Sequence, residues 1–303
     1  MPQSMRDAFG EAIAELGKKN PKILVLTADL GPSVRLTAFK EAFPDRYFNV
    51  GVAEANMIDV AAGLALEGFV PFCASFAVFL PGRCFDQIRV SVCQNKAEVK
   101  LIGSHSGLSN PGDGATAQSI EDIALMRALP EMTIVSPADG IETKKAVLAM
   151  AEKKGPVYLR ISRAETEIVT KEGDNFEIGK ASVLRAGKKV TLIANGTTVS
   201  TALSAASEID GEVINLSTIK PLDQETILKS VKKTGRVITI EEHGIYGGVG
   251  SAVAELLSQE YPVPMKIIGI QDVFGQSARS CEELLEKYDL TKENIIRNFQ
   301  EIR

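Results

Sequence analysis

With 303 residues, 45% of them hydrophobic and 24% charged, the chain is long enough for two globular domains and too apolar to be disordered. A net charge of −5 without a compensating basic block argues against a binder of nucleic-acid backbones. Two histidines leave little for a histidine-based metal centre, and no apolar run approaches a membrane span. Cys73, Cys84, Cys93 and Cys281 lie apart in apolar contexts and read as buried thiols of a reducing compartment. The first residues hold no apolar leader segment, so a soluble, cytoplasmic protein is expected.

Ser4 is placed to cap a helix that runs through residue 16, and residues 22–28 predict a buried strand ending in Asp29. A short strand then enters the small-residue turn at 49–53, and Glu54 opens an Ala-rich helix almost free of charge. So apolar a helix is predicted to be buried, in a core or at an interface. A carboxylate in its first turn either compensates the helix dipole or serves as a placed proton relay. A strand at 70–74, a helix at 85–94 and a strand at 99–103 follow. Residues 104–119 are rich in Gly, Ser, Asn and Pro and predict a long irregular loop. Long loops inside compact domains are usually functional.

Next come a helix at 120–128, a strand at 133–136, a helix at 139–153 and a strand at 157–161. This alternation predicts a mainly parallel sheet wrapped by helices, with ligands at the carboxyl ends of its strands. Residues 164–178 are charged and aperiodic and read as a linker between a domain at 1–163 and another at 179–303. The second α/β unit has strands expected at 190–195, 212–216, 236–241 and 265–269. Its helices are expected at 198–207, 223–233, 249–258, 281–287 and 291–299.

Several side chains can be read two ways. Phe76 and Phe79, where a buried strand gives way to a turn, are either core or the wall of an apolar pocket. Arg163 follows the last strand of the first domain, where an arginine clamps a phosphate or anchors a linker by an ion pair. The glycine-rich stretch at 244–250 sits beside two acids that would repel phosphate. It is therefore no nucleotide loop, and His243 is expected to be structural or at a domain contact.

Three stretches carry a family resemblance: the sequence after Glu54, the Ala-Ser-Phe-Ala-Val-Phe segment at 74–79, and the loop from Gly103 with its following helix and the Ser-Pro-Ala-Asp-Gly turn at 136–140. Together they resemble the transketolases over essentially the whole chain. The resemblance implies an α/β fold of two domains. These are a mainly parallel pyrimidine-binding (thiamine diphosphate-binding) domain and a smaller α/β transketolase C-terminal domain.

It further implies that Glu54 shares a proton with the aminopyrimidine ring of thiamine diphosphate and so activates the cofactor. Phe76 and Phe79 would hold that ring, and His105, Asp113 and Arg163 would bind the sugar phosphate. Arg35, on the loop after Asp29, is a further phosphate candidate in an offset register. Many transketolases have a histidine where this chain has Ala117, and Gln118 stands next to it as a possible substitute. One residue more than in the animal-type enzymes precedes the Phe-Asp-Gln-Ile-Arg run at 85–89.

The family's diphosphate- and magnesium-binding domain is missing from the chain. The Gly-Asp-Gly at 112–114 lies in the substrate loop, and the asparagine that should follow some way on is absent. The expectation is therefore the C-terminal subunit of a split transketolase. Its partner would be an N-terminal subunit holding the diphosphate and Mg2+, in a hetero-oligomer of two copies of each. The expected reaction moves a two-carbon ketol unit from a ketose phosphate to an aldose phosphate. The alternatives are a transketolase-like enzyme for another sugar phosphate, a deoxyxylulose-phosphate synthase-like subunit, and a non-catalytic scaffold. Beta subunits of 2-oxo-acid dehydrogenases share the layout but fit the loop and its helix poorly.

Overall fold

A computed structural model describes residues 3–302 of the chain. In chain order the first part supplies β1 (Gln3–Ser4), β2 (Ile23–Thr27), β3 (Tyr47–Asn49), β4 (Val70–Phe76), β5 (Lys100–Ser104), β6 (Thr133–Val135) and β7 (Val157–Arg160). β8 (Glu165–Thr166) lies between the two parts. The second part supplies β9 (Ser182–Arg185), β10 (Val190–Ala194), β11 (Gly211–Asn215), β12 (Thr218–Lys220), β13 (Val237–Gly244) and β14 (Met265–Ile270).

The larger sheet has the order β12-β6-β7-β5-β4-β2-β3, and every neighbouring pair is parallel except β12 with β6. β2, β5 and β7 are buried along their whole length, as strands covered by helices on both faces must be. The smaller sheet runs β14-β13-β10-β11-β9, parallel except for its edge strand β9. A mostly parallel α/β architecture in two units is thus what the alternating pattern leads one to expect.

Capping positions the helices. Ser4 Oγ accepts the Asp7 amide at 3.2 Å and starts the helix Met5–Lys19, whose inner stripe includes Phe9, Ala12 and Ile13. Asp139 caps Gly140–Glu152 and also accepts the amides of Val169 and Thr170. The same carboxylate therefore pins the segment that joins the two units.

The helix Glu54–Leu66 buries Met57, Ile58, Ala61 and Ala62 on one side. On the other side Val60 and Leu66 are exposed, as is Val52 just before it. Its apolar character is thus only half used by this chain.

Five features depart from the expected elements. The predicted helix over 85–94 is a short α-turn, Phe85–Gln87, followed by a π-helical stretch, Ile88–Cys93. A π-turn takes up a residue in excess of α winding. The helix Thr37–Ala42 and strand β9 were not anticipated. Between the units, β8 pairs antiparallel with β1. Most consequential, β12 leaves the second unit and pairs with β6 of the first.

The cysteines are free thiols; Cys73, Cys84 and Cys93 are buried and Cys281 is half-buried. Among the described residues no helix is long and apolar enough to cross a membrane.

Candidate active site

The carboxyl ends of the parallel strands bring the candidate side chains together. Phe76 ends β4 and pairs in register with Ser104, which ends β5 and precedes His105. Arg163 lies just past the end of β7, and Glu54 opens the helix that follows β3.

Glu54 is buried, 5% exposed, and accepts a hydrogen bond from Arg83 Nη1 at 3.0 Å. The Arg83 guanidinium lies over the Phe79 ring, 4.1 Å from its centroid. Phe79 and Phe76 are nearly parallel, with centroids 5.6 Å apart. Phe76 in turn stacks on the His105 ring at 3.7 Å. Glu54, Phe79, Phe76 and His105 thus belong to one continuous row, with Arg83 joining the acid to the rings.

His105 takes a left-handed backbone conformation, φ 58°, and its Nδ1 lies 3.0 Å from Ser104 Oγ. Burial, followed by the charges of Arg6, Arg163 and Arg35, pushes its pKa down to about 3. The imidazole is neutral at pH 7 and works as a hydrogen-bonding group rather than a cation.

Arg163 donates from Nη1 to Asn110 Oδ1 at 2.6 Å, and Asn110 Nδ2 donates to the Asp113 carboxylate at 2.7 Å. Asn110 therefore couples two of the expected sugar-binding residues. Arg35 pairs with Asp7 at 2.6 Å and is half exposed.

Gln118 faces elsewhere. Its Nε2 donates to the carbonyls of Asn110 at 3.3 Å and Gln276 at 2.9 Å, which ties the loop to the second unit. Its buried Oε1 has no hydrogen-bond partner.

Arg6 was not among the expected residues. It donates to the carbonyls of Ser33 and Arg163, while its buried Nε has no hydrogen-bond partner. Burial and the neighbouring charges of Arg35 and Arg163 lower its pKa. Three guanidinium groups crowded beside a neutral imidazole form an attractor for an anion. One signal in the sequence could have revealed Arg6: it sits in the first turn of a helix, where the dipole disfavours a cation. Arg83 and Asn110 gave no comparable signal.

One buried acid, a stacked aromatic pair and an arginine cluster gathered at the strand ends of a parallel α/β sheet have the chemistry to take a flat ring and an anion. Comparison with known proteins makes this specific. The transketolase pyrimidine-binding domain matches residues 1–168, and the transketolase C-terminal domain matches residues 179–295. The chain is 43% identical to a Methanocaldococcus jannaschii protein described as a transketolase C-terminal section, over 99% of this chain and 96% of that one. It is 40% identical to the 6-deoxy-6-sulfo-D-fructose transketolase subunit of Clostridium sp. strain MSTE9, over 98% and 94% of the two chains. Among solved structures, a split-gene transketolase described as an inactive beta4 tetramer superposes with a TM-score of 0.90, at 42% identity over 99% of this chain and 98% of that one. This chain belongs to the transketolase family, and its relatives include subunits of split transketolases.

Proposed function

We propose that this chain is the pyrimidine-binding subunit of a two-chain, thiamine diphosphate-dependent transketolase acting on sugar phosphates. The observation that carries the reading is the row from Glu54 through Phe79 and Phe76 to His105, with Arg6, Arg35 and Arg163 beside its far end.

The residues fit the cofactor's aminopyrimidine. A buried carboxylate beside two aromatic rings suits a flat heterocycle that shares a proton with it, since low polarity strengthens that hydrogen bond. When bound, thiamine diphosphate supplies the electron sink that lets a bond next to a carbonyl break. Glu54 would hold a proton at the ring nitrogen, and Phe76 and Phe79 would hold the ring plane and keep water away. His105 and Asp113 orient sugar hydroxyls. Arg163, Arg6 and Arg35 bind the terminal anion.

Magnesium and the diphosphate are assigned to a partner N-terminal subunit, because relatives of this chain are named as transketolase subunits. The exposed Val52, Val60 and Leu66, on the helix that Glu54 opens and just before it, offer apolar side chains to that assembly. Two copies of each chain are the expected complex.

A second reading concerns the sugar. Ala117 is buried and offers no polar atom where many transketolases have a histidine. One relative is named for a sulfo-sugar. A guanidinium can also donate to the oxygens of a sulfonate, a weaker acceptor of single charge, so a donor with a different terminal anion can use the same cluster.

The test is ketol transfer from xylulose 5-phosphate to ribose 5-phosphate with thiamine diphosphate and Mg2+. It is run on this chain alone and on its mixture with a chain that carries the diphosphate-binding domain. Activity in the mixture only is the expected result. Activity of the lone chain removes the argument for a partner. Silence of an associated mixture moves the substrate to the second reading.

Arg6 gives an independent check. Replacing it by methionine removes one charge-assisted contact, a loss of about 1.5–3 kcal/mol. The KM for a phosphorylated donor should rise at least about tenfold. The unphosphorylated sugar should be turned over at an unchanged rate. An equal loss for both sugars would remove Arg6 from the anion site.

A further inference from the structure

The second unit grips the loop that carries His105, Asn110 and Asp113, and it does so at four places. The Gly244 amide donates to the Ile120 carbonyl at 2.7 Å, and the Ala278 amide donates to the Pro111 carbonyl at 3.0 Å. Gln118 reaches the Gln276 carbonyl, as described above. The fourth contact is the only one of these made by a side chain of the second unit. Glu242 on β13 accepts the Leu108 amide on one carboxylate oxygen at 2.5 Å and the Thr197 hydroxyl on the other at 2.5 Å.

This carboxylate is buried, 6% exposed, so each of its hydrogen bonds carries weight that a surface contact would not. The loop is shaped to receive it. Gly107 has φ 62°, and a Cβ there would stand 2.6 Å from a Glu242 carboxylate oxygen. Leu108 sends its side chain into the hydrophobic core of the second unit. The Glu242 carbonyl also accepts from Arg160 Nη2, which reaches the far end of the loop at the Ser119 carbonyl. The residue thus holds the loop close to both of its ends.

We propose that Glu242 is a positioning residue for the sugar-binding loop. By fixing Leu108, it sets where His105, three residues before, and Asn110, two residues after, stand relative to Arg163. The role rests on the proposed function only for the identity of the ligand. It assigns to the second unit, which contributes no side chain to the row from Glu54 to His105, a part in substrate recognition.

Two variants separate positioning from plain stability. Glu242→Ala removes both acceptors. Glu242→Gln keeps an oxygen for the Leu108 amide and turns an NH2 toward the Thr197 hydroxyl, which can accept it. The first readout is amide exchange of this chain at single-residue resolution, which needs no activity. Exchange at Leu108 should be at least about tenfold faster in Glu242→Ala, with β10 unchanged, and within about threefold of wild type in Glu242→Gln.

The second readout is steady-state ketol transfer by the two-chain enzyme. Glu242→Ala should raise the KM for the donor sugar at least about tenfold, while the thiamine diphosphate affinity stays as in wild type, and Glu242→Gln should restore it. Unchanged exchange at Leu108 in Glu242→Ala overturns the proposal, and so does faster exchange with an unchanged donor KM. If Glu242→Ala loosens β10 as well, Glu242→Asp, which keeps the charge but withdraws the carboxylate by one methylene from the Leu108 amide, carries the test by the same two criteria. Faster Leu108 exchange in an enzyme pair that transfers no sugar leaves the loop contact standing and overturns the transketolase reading instead.

Discussion

Replacing Glu54 by glutamine is expected to lower ketol transfer by about 10²–10⁴-fold, the usual worth of a placed proton-transfer group. The side chain is buried at the first turn of its helix, and its recorded partner is the Arg83 guanidinium. Glutamine has nearly the same shape and still offers Arg83 an oxygen to donate to. It cannot exchange a proton with a ring nitrogen at neutral pH. The loss should therefore fall on turnover, while association with the partner subunit and the melting temperature stay as in wild type. Kinetics of the reconstituted pair, with association followed by sedimentation, would check this. A variant that keeps more than a third of wild-type turnover would return Glu54 to the role of a helix-dipole acid, whereas a wild-type pair with no turnover to lose would favour the scaffold alternative.

The largest stability effect is expected from Asp122→Ala. Asp122 is fully buried and accepts from Tyr158 at 2.7 Å and from Arg160 Nε at 2.8 Å on the same oxygen. Gly103 makes room for this arrangement, because a side chain there would collide with the Tyr158 hydroxyl. Without the aspartate, a guanidinium that is 4% exposed loses its counter-charge. Breaking a buried pair from one side costs about 3–5 kcal/mol. Urea unfolding should show that loss as a lower midpoint.

The double variant Asp122→Ala/Arg160→Met should recover a large part of it, since no charge is then left stranded. If the double variant is no better than the single one, the network's value lies in packing rather than in charge. Because Arg160 also holds the Ser119 and Glu242 carbonyls, the single variant should disturb the substrate loop as well.

Much of this was legible in the chain. Continuous apolar strands such as Ile23–Thr27 announce a doubly covered parallel sheet, and the caps Ser4 and Asp139 announce their helices. Glu54, Phe76, Phe79 and His105 are singled out by the resemblance to transketolases, since a first-turn acid and two strand-end rings by themselves read equally as a dipole acid and as core packing. Other parts lay beyond local pattern. The first-turn position of Arg6 hints that it is out of place, but only the folded chain sets it against Arg163. Nothing local marks Asp122, because its partners Tyr158 and Arg160 are far along the sequence. Gln118 was expected to face the sugar, but its amide is engaged by two carbonyls that no periodicity reveals. Three-residue strands such as β12 are too short to produce alternation, and their pairing is decided by the partner edge.

β12 has a consequence for how such a protein can be divided. Its three residues close the β6 edge of a sheet whose other strands are all encoded before residue 161. A gene cut at the stretch joining the units would yield one product with a raw hydrogen-bonding edge and another with a stray extended segment. The two products would have to find each other before either was safe from aggregation. Sharing this rim ties the two units together, and a second unit set against a foreign first unit would have to match the β6 edge it covers.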